Sequence, residues 1–145
     1  MTTDIRPLRA DAQRNLGRVL DAAAEVLAER GPEASVDEIA RRAGVGHATV
    51  FRRFPTKDQL IAAVARERLR QLCEFAETAL ANESAEAGFH DFMWRAAELH
   101  VHGGRLHECF DHCLELPEHA EVLALAARIV ERAQAAGAVR ADVTA

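Results

Sequence analysis

Apolar residues recur at three- and four-residue intervals along the first part of the chain, and this is the period of an amphipathic α-helix. The stripe follows a polar segment, residues 1–10, that contains two arginines and a proline. Gly31-Pro32 then supplies a signal that ends a helix. We therefore predict a flexible basic arm over residues 1–10 and a first helix from about Ala12 to Arg30. The apolar stripe of this helix contains Leu16, Val19, Leu20, Ala23, Val26 and Leu27.

Two short helices are predicted next, and the turn between them is tight. The stretch "SVDE", which begins at Ser35, fits a capping box that starts the second helix. Gly44 suits the left-handed residue that ends it, and a third helix begins directly after Gly46 and is stopped by Pro55. Two short helices around a glycine-containing turn are typical of a helix-turn-helix.

The rest of the chain also has a helical pattern. "TKDQ", from Thr56 to Gln59, is a second capping box and opens a fourth helix that extends to about Ala81. At about 1.5 Å per residue this helix is roughly 37 Å long. No strand pattern interrupts the series, so the predicted fold class is all-α, with three N-terminal helices joined by a long helix to a helical bundle. The later helices are predicted to end before Gly103-Gly104, to span Arg105 to Leu116, and to run from Pro117 to Gly137.

Composition narrows the classes of protein. The chain has 145 residues, of which 49% are hydrophobic and 28% are charged, and this balance is typical of a globular protein. Neither a signal-peptide pattern nor a stretch of about 18 apolar residues that would span a membrane is found. Three cysteines are an odd number, which favours reduced thiols over a disulfide framework. We expect a cytoplasmic protein with no membrane partner and no cofactor.

Charge is distributed unevenly along the chain. The net charge is -5, yet residues 41–57 contain five cations and no carboxylate. These cations are Arg41, Arg42, Arg52, Arg53 and Lys57. Because a carboxylate at a nucleic-acid interface would lie against phosphates, its absence here favours DNA as the partner. A charged but solvated helix face is the alternative interpretation of the same run.

A helical wheel places the side chains of the third helix on two faces. The outward face is small or hydroxylated at its start and cationic at its end, which suits a DNA major groove. Arginine can donate two hydrogen bonds to guanine, threonine can contact a phosphate or a base edge, and an alanine methyl fits beside a thymine methyl. The inward residues are Val50, Phe51 and Phe54, and the outward residues are Ala48, Thr49, Arg52 and Arg53.

From Arg14 to Val64 the chain closely resembles the DNA-binding domain of the TetR family of bacterial repressors. The resemblance covers the first three helices and the start of the fourth, in "RNLGRVLDAAAEVLAERGPEASVDEIARRAGVGHATVFRRFPTKDQLIAAV". It implies a DNA-binding domain over residues 1–57 and a ligand-binding and dimerisation domain over residues 58–145. It also implies double-stranded operator DNA as partner, a homodimer, and repression that a small-molecule ligand relieves.

The resemblance assigns DNA contacts to eight positions. His47 and Ala48 match residues that meet base edges, and Lys57 matches a phosphate-binding lysine at a helix start. Phe51 stands where the family usually has Tyr, and Arg53 stands where it frequently has His. The predicted DNA-binding set is Ser35, His47, Ala48, Thr49, Phe51, Arg52, Arg53 and Lys57.

The second half suggests a cavity for a small molecule. Aromatic and soft apolar side chains lie on more than one side of the fifth helix and continue into the sixth, more than one core face requires. Ordinary core packing is the alternative. The predicted ligand-binding residues are Phe89, Phe92, Met93, Trp94, Leu99 and Phe110.

A metal site is the rival function. Residues 100–113 contain four histidines and two cysteines, which are zinc or copper ligands, and a metal-sensing or metal-binding helical protein is therefore the alternative to a regulator. No CxxC or HExxH motif organises them, so no metal ligand is assigned. His112 and Cys113 would point to different helix faces, so they do not form a base and a nucleophile, and we predict no enzyme.

The homodimer needs a surface. In the TetR family two further helices usually form it, and the resemblance places their start after Ala145. We therefore expect an exposed apolar patch on the seventh helix, which is either a dimer surface or the face that the missing helices would cover. Its predicted members are Val122, Leu125, Ile129 and Val130.

Overall fold

The computed structural model describes residues 5–110 and 115–144, with side chains from residue 11 onward. Within these ranges the ordered elements are helices and no strand occurs, which confirms the all-α fold class. No described helix has both the length and the apolar content needed to cross a membrane. The α-helices are α1 (Ile5–Arg30), α2 (Val36–Ala43), α3 (His47–Arg53), α4 (Lys57–Ala81), α5 (Ala85–His102) and α6 (Pro117–Ala135), with 3-10 helices at Gly31–Glu33 and Gly104–Cys109.

The first helix is longer than its apolar stripe predicts. α1 begins at Ile5, so the prediction of a flexible arm is wrong for residues 5–10, and residues 1–4 lie outside the described part of the chain. Pro7 falls within the first turn of α1, where backbone amides have no intrahelical acceptor. Proline therefore costs no hydrogen bond there, and the helix continues through it.

The predicted sixth helix, Arg105 to Leu116, is also wrong where it is described. The structure has a 3-10 helix at Gly104–Cys109, whereas residues 115 and 116 are not helical and residues 111–114 lie outside the description. Tertiary contacts explain the difference. Gly104 has a φ of +49° and packs so tightly on α1 that an added Cβ would lie 3.2 Å from the carbonyl carbon of Ala28. Leu106 is buried at 3% exposure.

Arg105 fastens the same 3-10 helix to the end of α1. Its guanidinium donates to the carbonyl oxygen of Arg30 at 3.0 Å and to a carboxylate oxygen of Glu33 at 3.1 Å. Two further hydrogen bonds of 2.9 Å join it to Glu108, which holds the pKa of that carboxyl below its usual range. Because one side chain joins three segments, a local helical preference does not decide the conformation here.

Two compact units divide the described chain. The first unit contains residues 5–64 and 103–110, and the second contains residues 65–102 and 115–144. α4 begins in the first unit and ends in the second. The functional boundary predicted between residues 57 and 58 stays a prediction, since compactness does not test it.

The core of the first unit is made by the inward faces of α1 to α4 together with Leu106. These are the faces that the periodic apolar pattern predicts, and they fix how α3 is presented. Among the described residues no polar or charged residue is buried. The largest fully buried side chains here are Val26, Leu27, Ile39, Val50, Leu60 and Val64.

The second unit packs α4, α5 and α6 around a small apolar cluster. Phe92 of α5 and Ile129 of α6 are buried, with Phe75, Phe89 and Leu125 packed around them. The guanidinium of Arg132 donates to the carbonyl oxygens at the end of α4, at 3.3 Å for Ala79 and 3.2 Å for Leu80. It therefore satisfies acceptors that a helix end leaves without an intrahelical partner.

The apolar patch predicted on the last helix is wrong for the residues named. In α6 Val122 and Ile129 are buried, and Leu125 and Val130 are half-buried, because this face packs within the second unit. Leu123 points outward instead and is 50% exposed. A wheel shows which residues share a face, but it does not show which face meets the core.

Candidate nucleic-acid interface

The turn between α2 and α3 is built by local hydrogen bonds that the sequence specifies. Ser35 Oγ accepts from the backbone amide of Glu38 at 3.1 Å and so starts α2. Gly44 is left-handed, with φ 65° and ψ 36°, and the amide of Val45 donates to the carbonyl of Ala40 at 3.0 Å. Gly46 then provides the cap of α3. The backbone amide of Thr49 donates to the carbonyl oxygen of Gly46 at 2.9 Å. The predicted helix-turn-helix is confirmed.

One half of the predicted capping box has a different partner. The Glu38 carboxylate lies 3.6 Å from the guanidinium of Arg30 at the end of α1. It therefore links two helices, where the pattern predicts a return to the amide of Ser35. The start of α2 is still capped, because the Ser35 hydroxyl accepts from the Glu38 amide without help from the Glu38 carboxylate.

Two arginines hold α2 against α1. Arg42 donates to both carboxylate oxygens of Glu29, at 2.9 and 3.0 Å, and to Glu25 at 3.3 Å. The hydrogen bond from Arg42 holds the pKa of the Glu29 carboxyl below its usual range. Arg18 of α1 donates to the carbonyl of Ala43 at 2.7 Å, at the end of α2. Arg42 is thus committed to the scaffold, although it belongs to the cationic stretch.

The outward face of α3 has the composition that the wheel predicts. Val50 and Phe54 are buried, Ala48 is exposed and Thr49 is half-buried. Arg52 and Arg53 are exposed, and neither has a carboxylate partner among the side chains described. The guanidinium carbon of Arg53 lies 5.7 Å from the ring centre of Phe54. Two permanent positive charges are therefore presented at the end of this helix.

His47, the first residue of α3, is held by two contacts. Its ring lies 4.3 Å from the ring of Phe51, tilted by 32°, and its Nδ1 is hydrogen-bonded to the carboxylate of Asp37. The side chain of His47 remains 53% exposed. The pair with Asp37 joins the first residue of α3 to the first turn of α2. Asp37 could not be predicted as the partner of His47 from the spacing within either helix, because the pair joins two helices across the turn.

Lys57 is the first residue of α4 and lies within the first unit. Its ammonium donates to the carbonyl oxygen of Pro32, and Thr56 Oγ1 accepts from the amide of Gln59 at 3.2 Å. The second capping box is therefore confirmed on its backbone side. An ammonium has three donors, so the bond to Pro32 leaves two that can meet a phosphate.

The six residues predicted to bind a ligand have different environments, each described within its own unit. Phe92 is buried in the core of the second unit, with Phe89 packed beside it, whereas Met93 and Trp94 are 49% and 69% exposed. Phe110 packs against the core of the first unit. Trp94 and Leu99 lie together in a groove of about 580 Å³ between α4 and α5. The other residues that line this groove are Phe75, Asp91, Arg95, Glu98 and His102.

The histidine- and cysteine-rich segment gains no support as a metal site. Within the described residues no group of three His, Cys, Asp or Glu side chains is placed to hold a metal ion. The Nδ1 atom of His102 lies 2.8 Å from the carbonyl oxygen of Glu98, and that of His107 lies 2.9 Å from the carbonyl oxygen of Gly104. His112 and Cys113 fall outside the described residues.

Known proteins are similar to this chain in sequence and in architecture. Residues 19–64 match the family described as bacterial regulatory proteins, tetR family. Over 63 residues the chain is 46% identical to an HTH-type transcriptional repressor of Mycobacterium tuberculosis. This match covers 43% of this chain and 34% of that protein. The chain thus spans 34% of the length of this curated relative.

Solved structures extend the similarity beyond the helix-turn-helix. A TetR transcription regulatory protein from Mycobacterium vanbaalenii is 39% identical, with a TM-score of 0.74, over 95% of this chain and 86% of that one. The TetR transcriptional regulator SCO0520 from Streptomyces coelicolor is 25% identical, with a TM-score of 0.66, over 88% and 77% of the two chains.

Proposed function

Because the chain belongs to the TetR family of bacterial regulatory proteins, we propose that it binds operator DNA through α2 and α3 and represses transcription. The observation that carries the proposal is the outward face of α3. Arg52 and Arg53 are exposed there without a carboxylate partner among the described side chains, on a helix fixed by the turn at Gly44. The role is one of binding, not of catalysis, and it places the protein in the cytoplasm with the bacterial chromosome.

Each part of this face suits a different part of a DNA duplex. Arg52 can donate two bonds to the O6 and N7 atoms of guanine, and the methyl of Ala48 can meet thymine. Lys57 and the hydroxyls of Ser35 and Thr49 suit phosphates, whose contacts position a protein without reading sequence. Phe51 has no hydroxyl to offer a phosphate, and its ring supports His47 instead.

A homodimer is part of the proposal. α3 has seven residues and can read only a few base pairs, which do not single out one operator in a genome. Helix-turn-helix proteins meet this requirement by two-fold pairing, which reads two half-sites about one helical turn of DNA, or a multiple of it, apart. The dimer surface is a separate question, because the residues proposed for it on α6 are turned inward.

Selection from a pool of random duplexes tests the function directly. We expect the enriched duplexes to contain two inverted half-sites, and sedimentation of the complex to show two chains for each duplex. Binding should weaken steeply with salt, because cations released from phosphates drive it. A pool that enriches no sequence, with binding that salt does not affect, would refute DNA recognition by this chain.

We further propose that a small molecule binds the groove between α4 and α5 in the second unit and relieves repression. The groove offers two kinds of contact, which are aromatic surface from Phe75 and Trp94 and carboxylates from Asp91 and Glu98. Asp91 is already paired with Arg95 at 3.0 Å. An effector bound here would shift the populations of the states of α4 only if the effector binds one of those states more tightly than the others.

Thermal unfolding in the presence of small apolar compounds tests this second proposal. A ligand at about 100 times its Kd should stabilise the fold by about 2.7 kcal/mol, and Trp94→Ala should abolish that stabilisation while DNA binding without ligand persists. Met93→Ala is the matched control, because Met93 is an exposed neighbour on α5 that is not among the groove residues. Equal loss in both variants would contradict the assignment of the groove.

A further inference from the structure

A second cleft lies within the first unit, between the N-terminal half of α1 and the recognition helix α3. Its volume is about 460 Å³, within the range of about 300–1,000 Å³ that is usual for ligand sites. Apolar side chains of both helices form its floor, and polar and cationic side chains form its rim. The floor residues are Leu16, Val19, Val50 and Phe54, and the rim residues are Ala12, Gln13, Asn15, Thr49, Arg52 and Arg53.

The floor is rigid because it is also the surface of the core. Val19, Val50 and Phe54 are 4%, 1% and 8% exposed, and Leu16 packs against the same cluster. A methylene chain or an aromatic ring placed on this floor would remove its own apolar surface from water, and that transfer is favourable. The floor by itself therefore favours an apolar body of any kind.

The rim selects the charge of the occupant. Arg52 and Arg53 both line the cleft, and the described lining contains no carboxylate that would neutralise them. Arg53 is held near the cleft wall, since its guanidinium lies 5.7 Å from the ring centre of Phe54. A cation would be repelled, and a neutral molecule would cover two guanidinium groups without pairing them.

We propose that this cleft binds an amphipathic organic anion, with its apolar body on the α1–α3 floor and its anionic group on Arg52 and Arg53. A carboxylate, sulfonate or phosphate ester all suit a guanidinium, which donates to planar or tetrahedral anions through a fixed fork. An inorganic anion would use the rim but gain nothing from the floor. The site thus requires both halves of the molecule.

The position of the cleft has a direct consequence for regulation. The arginines that would hold the anion are those that the proposed function assigns to DNA. A bound anion would therefore compete with the duplex for the same side chains, which differs from control exerted through the second unit. This competition rests on the proposed DNA binding, whereas the anion site itself does not.

Titration calorimetry with decanoate tests the site, with 1-decanol and sodium sulfate as probes of each half alone. We expect decanoate to bind to one site on each chain and both partial probes to bind at least about tenfold more weakly. Decanol lacks the charge-assisted hydrogen bonds to the arginines, and sulfate buries no apolar surface on the floor. Arg52→Gln combined with Arg53→Gln should weaken decanoate by about tenfold or more for the same reason. Sulfate that binds as tightly as decanoate would overturn the proposal.

Filling the cleft provides the second variant. Ala12 is exposed at the rim, so Ala12→Trp should block decanoate while leaving the core intact, as circular dichroism would verify. Ala135→Trp is the matched control, because Ala135 is an exposed alanine at the end of α6. Decanoate binding that is absent from the parent, or unchanged by Ala12→Trp and by the arginine variant, would refute the site.

A competition experiment between decanoate and a DNA duplex distinguishes the anion site from the proposed DNA binding. A selected duplex should displace decanoate, and decanoate should raise the apparent Kd of the duplex in inverse proportion to the fraction of chains that it leaves free. If no duplex binds the chain, the proposed function fails, while the titrations with Ala12→Trp still decide the anion site.

Discussion

Replacing Arg52 by alanine is expected to weaken binding to the selected duplex by about 1–3 kcal/mol and to relax the preference for guanine at one position of each half-site. The reason is that Arg52 is exposed on the outward face of α3, and its guanidinium forms no ion pair with a carboxylate among the described side chains. Fluorescence anisotropy at one fixed salt concentration, on the selected duplex and on single-base variants of it, measures both effects.

Two variants show whether the loss is specific to base reading. Lys57→Ala should weaken all duplexes alike and reduce the salt slope by about 1, because Lys57 is proposed to meet a phosphate. Arg128→Ala removes the same charge from an exposed position on α6 and should leave binding unchanged. If Arg52→Ala behaves like Arg128→Ala, the recognition face of α3 has been assigned wrongly.

The interface was predictable from the sequence where short-range chemistry determines it. Ser35, Gly44 and Thr56 act on amides and carbonyls at most four residues away, so their residue types alone fix where helices start and end. The outward placement of Arg52 and Arg53 follows from the helical period once Val50 and Phe54 are buried. A local code of this kind needs no knowledge of the rest of the fold.

Contacts between distant segments were not predictable in the same way. Arg42 contributes to the cationic run in the sequence, but Glu25 and Glu29 on α1 neutralise it. Gly104 and Arg105 replace an expected α-helix by a 3-10 helix because both pack on α1, which lies more than 70 residues earlier in the chain. Apolar periodicity indicates the local helical preference of a segment, and tertiary contacts override that preference here.

The predicted ligand-binding residues stay a prediction, and the structure places them in different environments for a related reason. Aromatic crowding on α5 is visible in the sequence, but it does not tell which ring faces the core and which faces solvent. Phe92 is buried while Trp94, two residues later, is 69% exposed. The groove therefore shares only Trp94 and Leu99 with the predicted set, and its carboxylates come from residues that no apolar pattern marks.

Gly88→Ala is expected to lower the free energy of unfolding, although alanine is the better helix former. Gly88 is buried within α5, and an added Cβ would lie inside van der Waals contact of the Ala79 carbonyl oxygen and 3.2 Å from its carbon. That carbonyl also accepts from Arg132, so moving it would disturb a second contact. Overpacking costs about 1–3 kcal/mol, which exceeds the roughly 1 kcal/mol that alanine gains over glycine in a helix.

The same substitution at Gly17 should have the opposite sign. Gly17 lies within α1, and an added Cβ there would meet no atom within 4 Å, so only the helical preference acts. Gly17→Ala should therefore stabilise the protein by roughly 0.5–1 kcal/mol. Urea unfolding followed by circular dichroism measures both variants. A Gly88→Ala protein as stable as Gly17→Ala would show that α5 can move away from α4 at no cost, because the close approach at Ala79 is the sole source of the predicted difference.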